Sequence, residues 1–183
     1  MWVEFMSIFG DQRHFPLYNL NRSLSTARLT LGNSQLSFPC AIGRNGQTTL
    51  KREGDGKTPI GCWSPLMVFY RRDKISRPKT SLPIEPVKKN DSWCDQPFDR
   101  NYNRGVKHPY PASAEQLWRD DNQYDIIIVL NHNQCPRIQN AGSAIFMHIA
   151  NQAYTPTEGC IALKETHLRQ LLSYMKTSSK LIV

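Results

Sequence analysis

Apolar side chains return at every second residue along the front third of the chain. In TARLTL, Ala27, Leu29 and Leu31 share one face, and in SQLSFPC the same holds for Leu36, Phe38 and Cys40. That period belongs to a half-buried strand. Gly32-Asn33 between the two runs is a two-residue connection of the tight-hairpin kind. AIGRNG and TTL predict another turn between strands, GDGKTPIG at 54–61 a turn-rich loop, and LMVFY at 66–70 a short strand.

The pattern then fades. Residues 71–112 carry Pro78, Pro83, Pro86, Pro97, Pro109 and Pro111 with little periodicity, and read as a long inserted loop, ordered by Trp93, Phe98 and Tyr102. In SAEQLWRDD, Ser113 and Gln116 have capping-box spacing with Leu117 and Trp118 on an apolar side, which predicts a short helix. YDIIIVL, with its apolar run at 126–130, predicts a strand buried on both faces, and SAIFMHIA predicts another. Leu168, Leu171, Leu172 and Met175 recur at helical spacing, and KLIV closes the chain as a strand. The elements do not alternate βαβα, so a doubly wound parallel sheet is disfavoured. The pattern favours a mainly β sandwich of mixed strands with a few packed helices.

The 183 residues suffice for one domain with a core, and residues 1–183 read as a single unit in which 71–112 is the insertion. Of the net charge of +8, residues 51–89 supply +6, from ten Lys/Arg against four Asp/Glu, densest in RRDKISRPKT at 71–80. One reading is a solvated surface segment, and the other a patch that attracts a polyanion. No aromatic residues interleave the run at a spacing that favours nucleic acid. MWVEFMSIFGDQRHFPLY contains Glu4 and no apolar core of signal-peptide length, so no export signal is expected in the chain as it stands, and no stretch has membrane-spanning length.

Chemistry enters with SAIFMHIANQAYTPTEGC, residues 143–160. A cysteine nucleophile needs a partner for its proton and donors for the oxyanion it creates. Gly159 frees the backbone before Cys160, and His148 lies twelve residues upstream on the preceding strand. On the residues alone, His148 is either that partner or a satisfied core histidine. His14, His132 and His167 are alternative bases, Glu115 a conceivable general acid, and Cys62 after Gly61 a rival thiol. The five cysteines, Cys40, Cys62, Cys94, Cys135 and Cys160, include no CxxC pair, and His132 with Cys135 lacks a second ligand pair at zinc spacing, so no metal is expected.

FMH with TPTEGCIAL, preceded by EGDGKTPIG, SWCDQPFDRNYNR at 92–104 and SAEQLWRDDNQYD at 113–125, resembles the L,D-transpeptidase catalytic domain of YkuD type. The likeness runs from about Cys40 to Leu172. It implies Cys160 as nucleophile, His148 as its partner, Gly159 at the oxyanion site and Thr157 in the Ser/Thr position of the cysteine motif, against substrate. Many members have an arginine two residues after the cysteine, where this chain has Ala162. Arg104 and Arg119 are candidates to fill that role, and Asn131 is a further substrate-binding candidate. The His-to-Cys interval is shorter than in many members, which implies a trimmed loop over the site. The implied reaction is cofactor-free acyl transfer on peptidoglycan stem peptides in the cell envelope, through a Cys160 thioester. The acceptor is an amine in cross-linking and water in a carboxypeptidase or endopeptidase. A non-catalytic wall-binding domain using the basic 71–89 region is a third reading.

Overall fold

A computed structural model describes residues 14–18, 26–30 and 37–183. In chain order the strands are β1 (His14–Tyr18), β2 (Thr26–Thr30), β3 (Ser37–Ala41), β4 (Gln47–Thr48), β5 (Thr58–Pro59), β6 (Cys62–Trp63), β7 (Pro65–Tyr70) and β8 (Ile84–Pro86). There follow β9 (Asp91–Cys94), β10 (Arg104–Lys107), β11 (Ala114–Gln116), β12 (Ile126–Leu130), β13 (Phe146–Ile149) and β14 (Ile161–Leu163). Helix α1 (Glu165–Tyr174) and β15 (Lys180–Ile182) complete the chain. The fold is mainly β, as the alternation predicts.

Ten strands form one ladder in the order β6-β15-β1-β2-β3-β14-β13-β12-β7-β8, and β10-β9-β11 and β4-β5 form two smaller sheets. β2 and β3 pair antiparallel from Thr26↔Ala41 to Thr30↔Ser37, as a hairpin requires, while the Gly32-Asn33 connection lies outside the described residues. The strand expected over 48–50 stops at Thr48, and Leu50 is 81% exposed.

Period-2 alternation splits the central strands between two cores. Ile126, Ile128 and Leu130 of β12, Met147 of β13, and Ile161 and Leu163 of β14 pack with Leu168, Leu171, Leu172 and Met175 of the α1 region. Ile127 and Val129, Phe146, and Cys160 pack on the opposite face with Trp93, Leu117 and Tyr124. β12 is therefore buried on both faces along its whole length. β13 and β14 run parallel, which demands a crossover, and residues 150–160 supply it without a helix.

Two expectations need correction. The segment from Ser113 is not a helix: Ala114–Gln116 is β11, paired antiparallel with β9, and α1 is the one helix among the described residues. A capping box between Pro111 and RDDN nucleates too short a helix to persist alone. β9 offers ladder bonds instead, extended by Leu117 N–H donating to the Asp91 carbonyl at 3.0 Å. Second, residues 71–112 are not one loop, because they contain β8, β9 and β10. Nor is the basic run simply solvated. Arg71 is buried, forks onto Asp73 (2.9 and 2.8 Å) and lies 3.6 Å over the Trp118 ring, while Lys74 reaches Asp125 at 3.5 Å.

Candidate active site

The parallel register sets His148 opposite Ala162 and Met147 opposite Ile161. His148 and Cys160 therefore project to the same face from neighbouring chain segments, and both are buried. Their surroundings keep both groups neutral. The Cys160 thiol donates to the Ala144 carbonyl at 3.1 Å and accepts the Phe146 N–H at 3.4 Å. Burial, and then the nearby Glu115 carboxyl, push its pKa up to about 12. Burial pulls that of His148 down to about 4, although its bond to the Ile149 carbonyl works the other way. That bond, 3.0 Å from Nδ1, settles the tautomer, because a carbonyl only accepts. Nδ1 carries the hydrogen, and Nε2 is left as a base. The Tyr124 ring meets the imidazole edge-on at 5.1 Å between centroids.

Backbone geometry fixes the turn that carries the thiol. Gly159 has φ +138°, and a Cβ there would stand 2.7 Å from the Lys57 carbonyl oxygen, so both conformation and space demand glycine. Thr157 holds the turn from within: its hydroxyl donates to the Cys160 carbonyl at 2.6 Å and accepts the Gly159 N–H at 3.2 Å. The 150–160 crossover is tied to the chain beyond β3 by Thr157 N–H to Ile42 O (2.9 Å) and Arg44 N–H to Thr157 O (2.8 Å). GDGKTPIG buttresses the other side. The Gly43 N–H donates to Thr58 Oγ at 2.8 Å, and a Cβ on Gly43 would lie 2.5 Å from the Gly56 carbonyl. Asp55 organises this loop by accepting the Arg52 and Lys57 amides at 2.9 Å and pairing with Lys51. Burial raises the Asp55 pKa, but these donors outweigh it and hold the carboxyl below its ordinary value.

A cleft of about 210 Å³ opens over the pair, lined by Glu115, Arg119, Tyr124, Ala144, His148 and Cys160, with residues 156–158 along one rim. Of the sequence candidates, the structure brings Cys160, His148, Thr157, Arg119 and Glu115 to this cleft, with Gly159 in the turn beneath. Arg119 pairs with Asp121, and its guanidinium lies 4.9 Å over the Tyr124 ring. Arg104 sits exposed on β10, outside the cleft lining. Asn131 also lies outside it, where it accepts the Ser64 N–H at 2.7 Å and ties the end of β12 to the start of β7. Among the alternative bases, His132 bonds Ala141 O at 3.0 Å and packs on Trp63, and His167 packs on Phe38. The side chain of His14 lies outside the described residues. Cys62 is exposed. Among the described residues, no three His, Cys, Asp or Glu side chains gather where a metal ion could be held.

Sequence reasoning names Glu115 as a conceivable acid and misses Tyr124, its partner in the cleft wall. Tyr124 donates its hydroxyl to the Glu115 carboxylate, and Glu115 faces the cleft from β11 rather than solvent from a helix. Burial pushes the Glu115 pKa up, against the Tyr124 bond and the Arg119 charge. Asn103, buried and at φ +56°, is a second omission. Its Oδ1 accepts from Trp93 Nε1 at 2.9 Å and Ala144 N–H at 3.2 Å, and its Nδ2 donates to the carbonyls of His132 (3.1 Å) and Asn133 (2.8 Å). Ala144, itself at φ +50°, offers its carbonyl to the Cys160 thiol. The YNR stretch is thus a visible sign of a link between the inserted strands and Cys160.

No curated protein and no solved structure matches the chain significantly. The family model of the L,D-transpeptidase catalytic domain, YkuD, matches residues 19–183, nearly the whole chain, including both arms of the Cys160 turn and the strands that wall the cleft. With that match and its mainly β fold, the chain belongs to the YkuD L,D-transpeptidase catalytic domain family.

Proposed function

We propose that the chain is a single cysteine acyltransferase domain that acts on peptidoglycan stem peptides in the cell envelope and forms cross-links through a Cys160 thioester. One observation carries the reading: a buried thiol and a neutral imidazole share one face at the floor of a cleft, behind a turn that only glycine can make. In this reading Nε2 of His148 takes the thiol proton as Sγ attacks the carbonyl of the donor peptide. The carbonyl oxygen gains charge in the tetrahedral intermediate, where the Cys160 amide at the end of the Gly159 turn donates to it. Losing such a donor typically costs about 10²–10³ in rate. The C–N bond then breaks, His148 returns the proton to the departing amine, and the thioester remains. An acceptor amine attacks that thioester and its proton passes through His148 to sulfur. Arg119, the arginine lining the cleft, holds a carboxylate of the substrate in place of the arginine that Ala162 replaces.

Incubation of the protein with purified muropeptides, with and without an acceptor amine, tests this. Cross-linked product that disappears in Cys160→Ala, with the thermal melt of the variant preserved, is the expected outcome. Trimmed peptides alone, in the presence of acceptor, would assign the hydrolytic reaction instead.

A further inference from the structure

Acyl transfer between amines poses a proton problem that His148 does not solve. The histidine carries the thiol proton to the departing nitrogen, which leaves as a neutral amine. At neutral pH that amine takes up one more proton to become an ammonium. The acceptor arrives as an ammonium, and must lose a proton before its nitrogen can attack. Burial keeps His148 neutral down to about pH 4, so it does not store a proton between the two half-reactions.

Glu115 stands where such a store is needed. It lines the same cleft as Cys160 and His148, held on β11 opposite Trp93 and fixed by the Tyr124 hydroxyl. Tyr124 also packs on the His148 ring. The nearest cation on this wall is Arg119, which is already paired with Asp121. Among the described residues, no lysine or arginine nitrogen lies within 4.0 Å of the Glu115 carboxyl. Half-buried in the cleft wall and without an ion partner, the carboxyl favours its protonated form or a cation brought by the substrate. Around it, Asp95 and Glu53 act in the same direction as burial, and Arg119 opposes them.

We propose that Glu115 exchanges one proton with the substrate amines, giving it to the departing amine and recovering it from the acceptor ammonium, which it holds in the cleft. The accounts balance. In the first half-reaction R′NH2 and the Glu115 carboxyl become R′NH3⁺ and carboxylate. In the second, R″NH3⁺ and carboxylate become R″NH2 and carboxyl. The amine nitrogen then bonds to the thioester carbon, the C–S bond breaks, and the amine proton passes through His148 to sulfur.

The proposal rests on the acyl-transfer reading, and its test separates the two. Acylation of Cys160 by a carbapenem, followed by intact mass, reports the first bond-forming step without an ammonium acceptor. Transfer to an acceptor amine is followed from pH 6 to pH 10 in wild type, Glu115→Gln and Glu115→Asp, with thermal melts as a check on folding. In Glu115→Gln, amine transfer near pH 7 should fall by about 10², at least tenfold more than acylation falls. The deficit should shrink as pH rises towards the pKa of the acceptor amine, and Glu115→Asp should recover part of the activity. Equal loss of acylation and transfer, a loss independent of pH, or wild-type transfer in Glu115→Gln would overturn the role of Glu115. A wild-type protein that is never acylated would overturn the acyl-transfer reading and this role with it.

Discussion

The two faces of the central sheet are built by the same strands and have different fates. On the α1 face, Ile126, Ile128, Leu130, Met147, Ile161 and Leu163 meet the leucines of the helix in an aliphatic core. One residue over, the opposite face carries Phe146, His148 and Cys160 under Trp93 and Tyr124, and it opens into the cleft. Helix packing on one side lets the other side bear two buried polar groups and a strained turn. The strand period thus separates the aliphatic core from the face that carries the cleft.

That separation can be attacked from either side. The largest effect belongs to the reactive face: His148→Gln should lower acyl transfer by about 10²–10⁴, measured as kcat/KM, with the sheet still folded by circular dichroism. On the α1 face, Leu171→Ala should cost about 2–5 kcal/mol of unfolding free energy in urea titration. Activity per folded molecule should survive that change, and a comparable loss of both would erase the distinction. His148 also links the faces through pH. Its folded pKa of about 4 lies below the ordinary value of 6.5, so the unfolded chain binds more protons between those limits. Stability should therefore fall as pH drops from about 6.5 to about 4, by about 3 kcal/mol from this group, and the His148→Gln variant should lack that contribution. The smallest effect is expected at Asn103, whose replacement by Ala orphans buried partners at about 1–3 kcal/mol. It should also slow acylation, because Ala144 loses the bond that sets its carbonyl against the thiol. Unchanged acylation would detach the insertion from the site.

The legible part of this molecule was periodic. β12, β13 and α1 followed from apolar spacing, because each buries a face large enough to dictate its own pattern. His148 and Cys160 stand out as a candidate pair only through the company of GDGKTPIG and of YNR with SAEQLWR, and Lys57 of the first fills the space behind Gly159. What stayed hidden was held by long-range pairing. Nothing local distinguishes SAEQLW as a helix from the same residues as β11, since β9 decides the matter from 20 to 24 residues away. Read as a helix, the segment leaves Glu115 open between an acid and a capped helix surface, whereas on β11 it lines the cleft. Asn103 and Asn131 look alike in sequence, yet one anchors Ala144 beside Cys160 and the other joins two strands.

The central claim is that Cys160 is the thiol that accepts the acyl group. Cys62 and Cys135 are exposed, whereas Cys160 is buried with its pKa raised, so simple thiol accessibility ranks it behind them. Treating the protein with a carbapenem and mapping the adduct by peptide mass spectrometry puts the claim to the test. The account predicts a single covalent adduct on Cys160, absent from Cys160→Ala; no adduct, or one confined to Cys62 or Cys135, would contradict it.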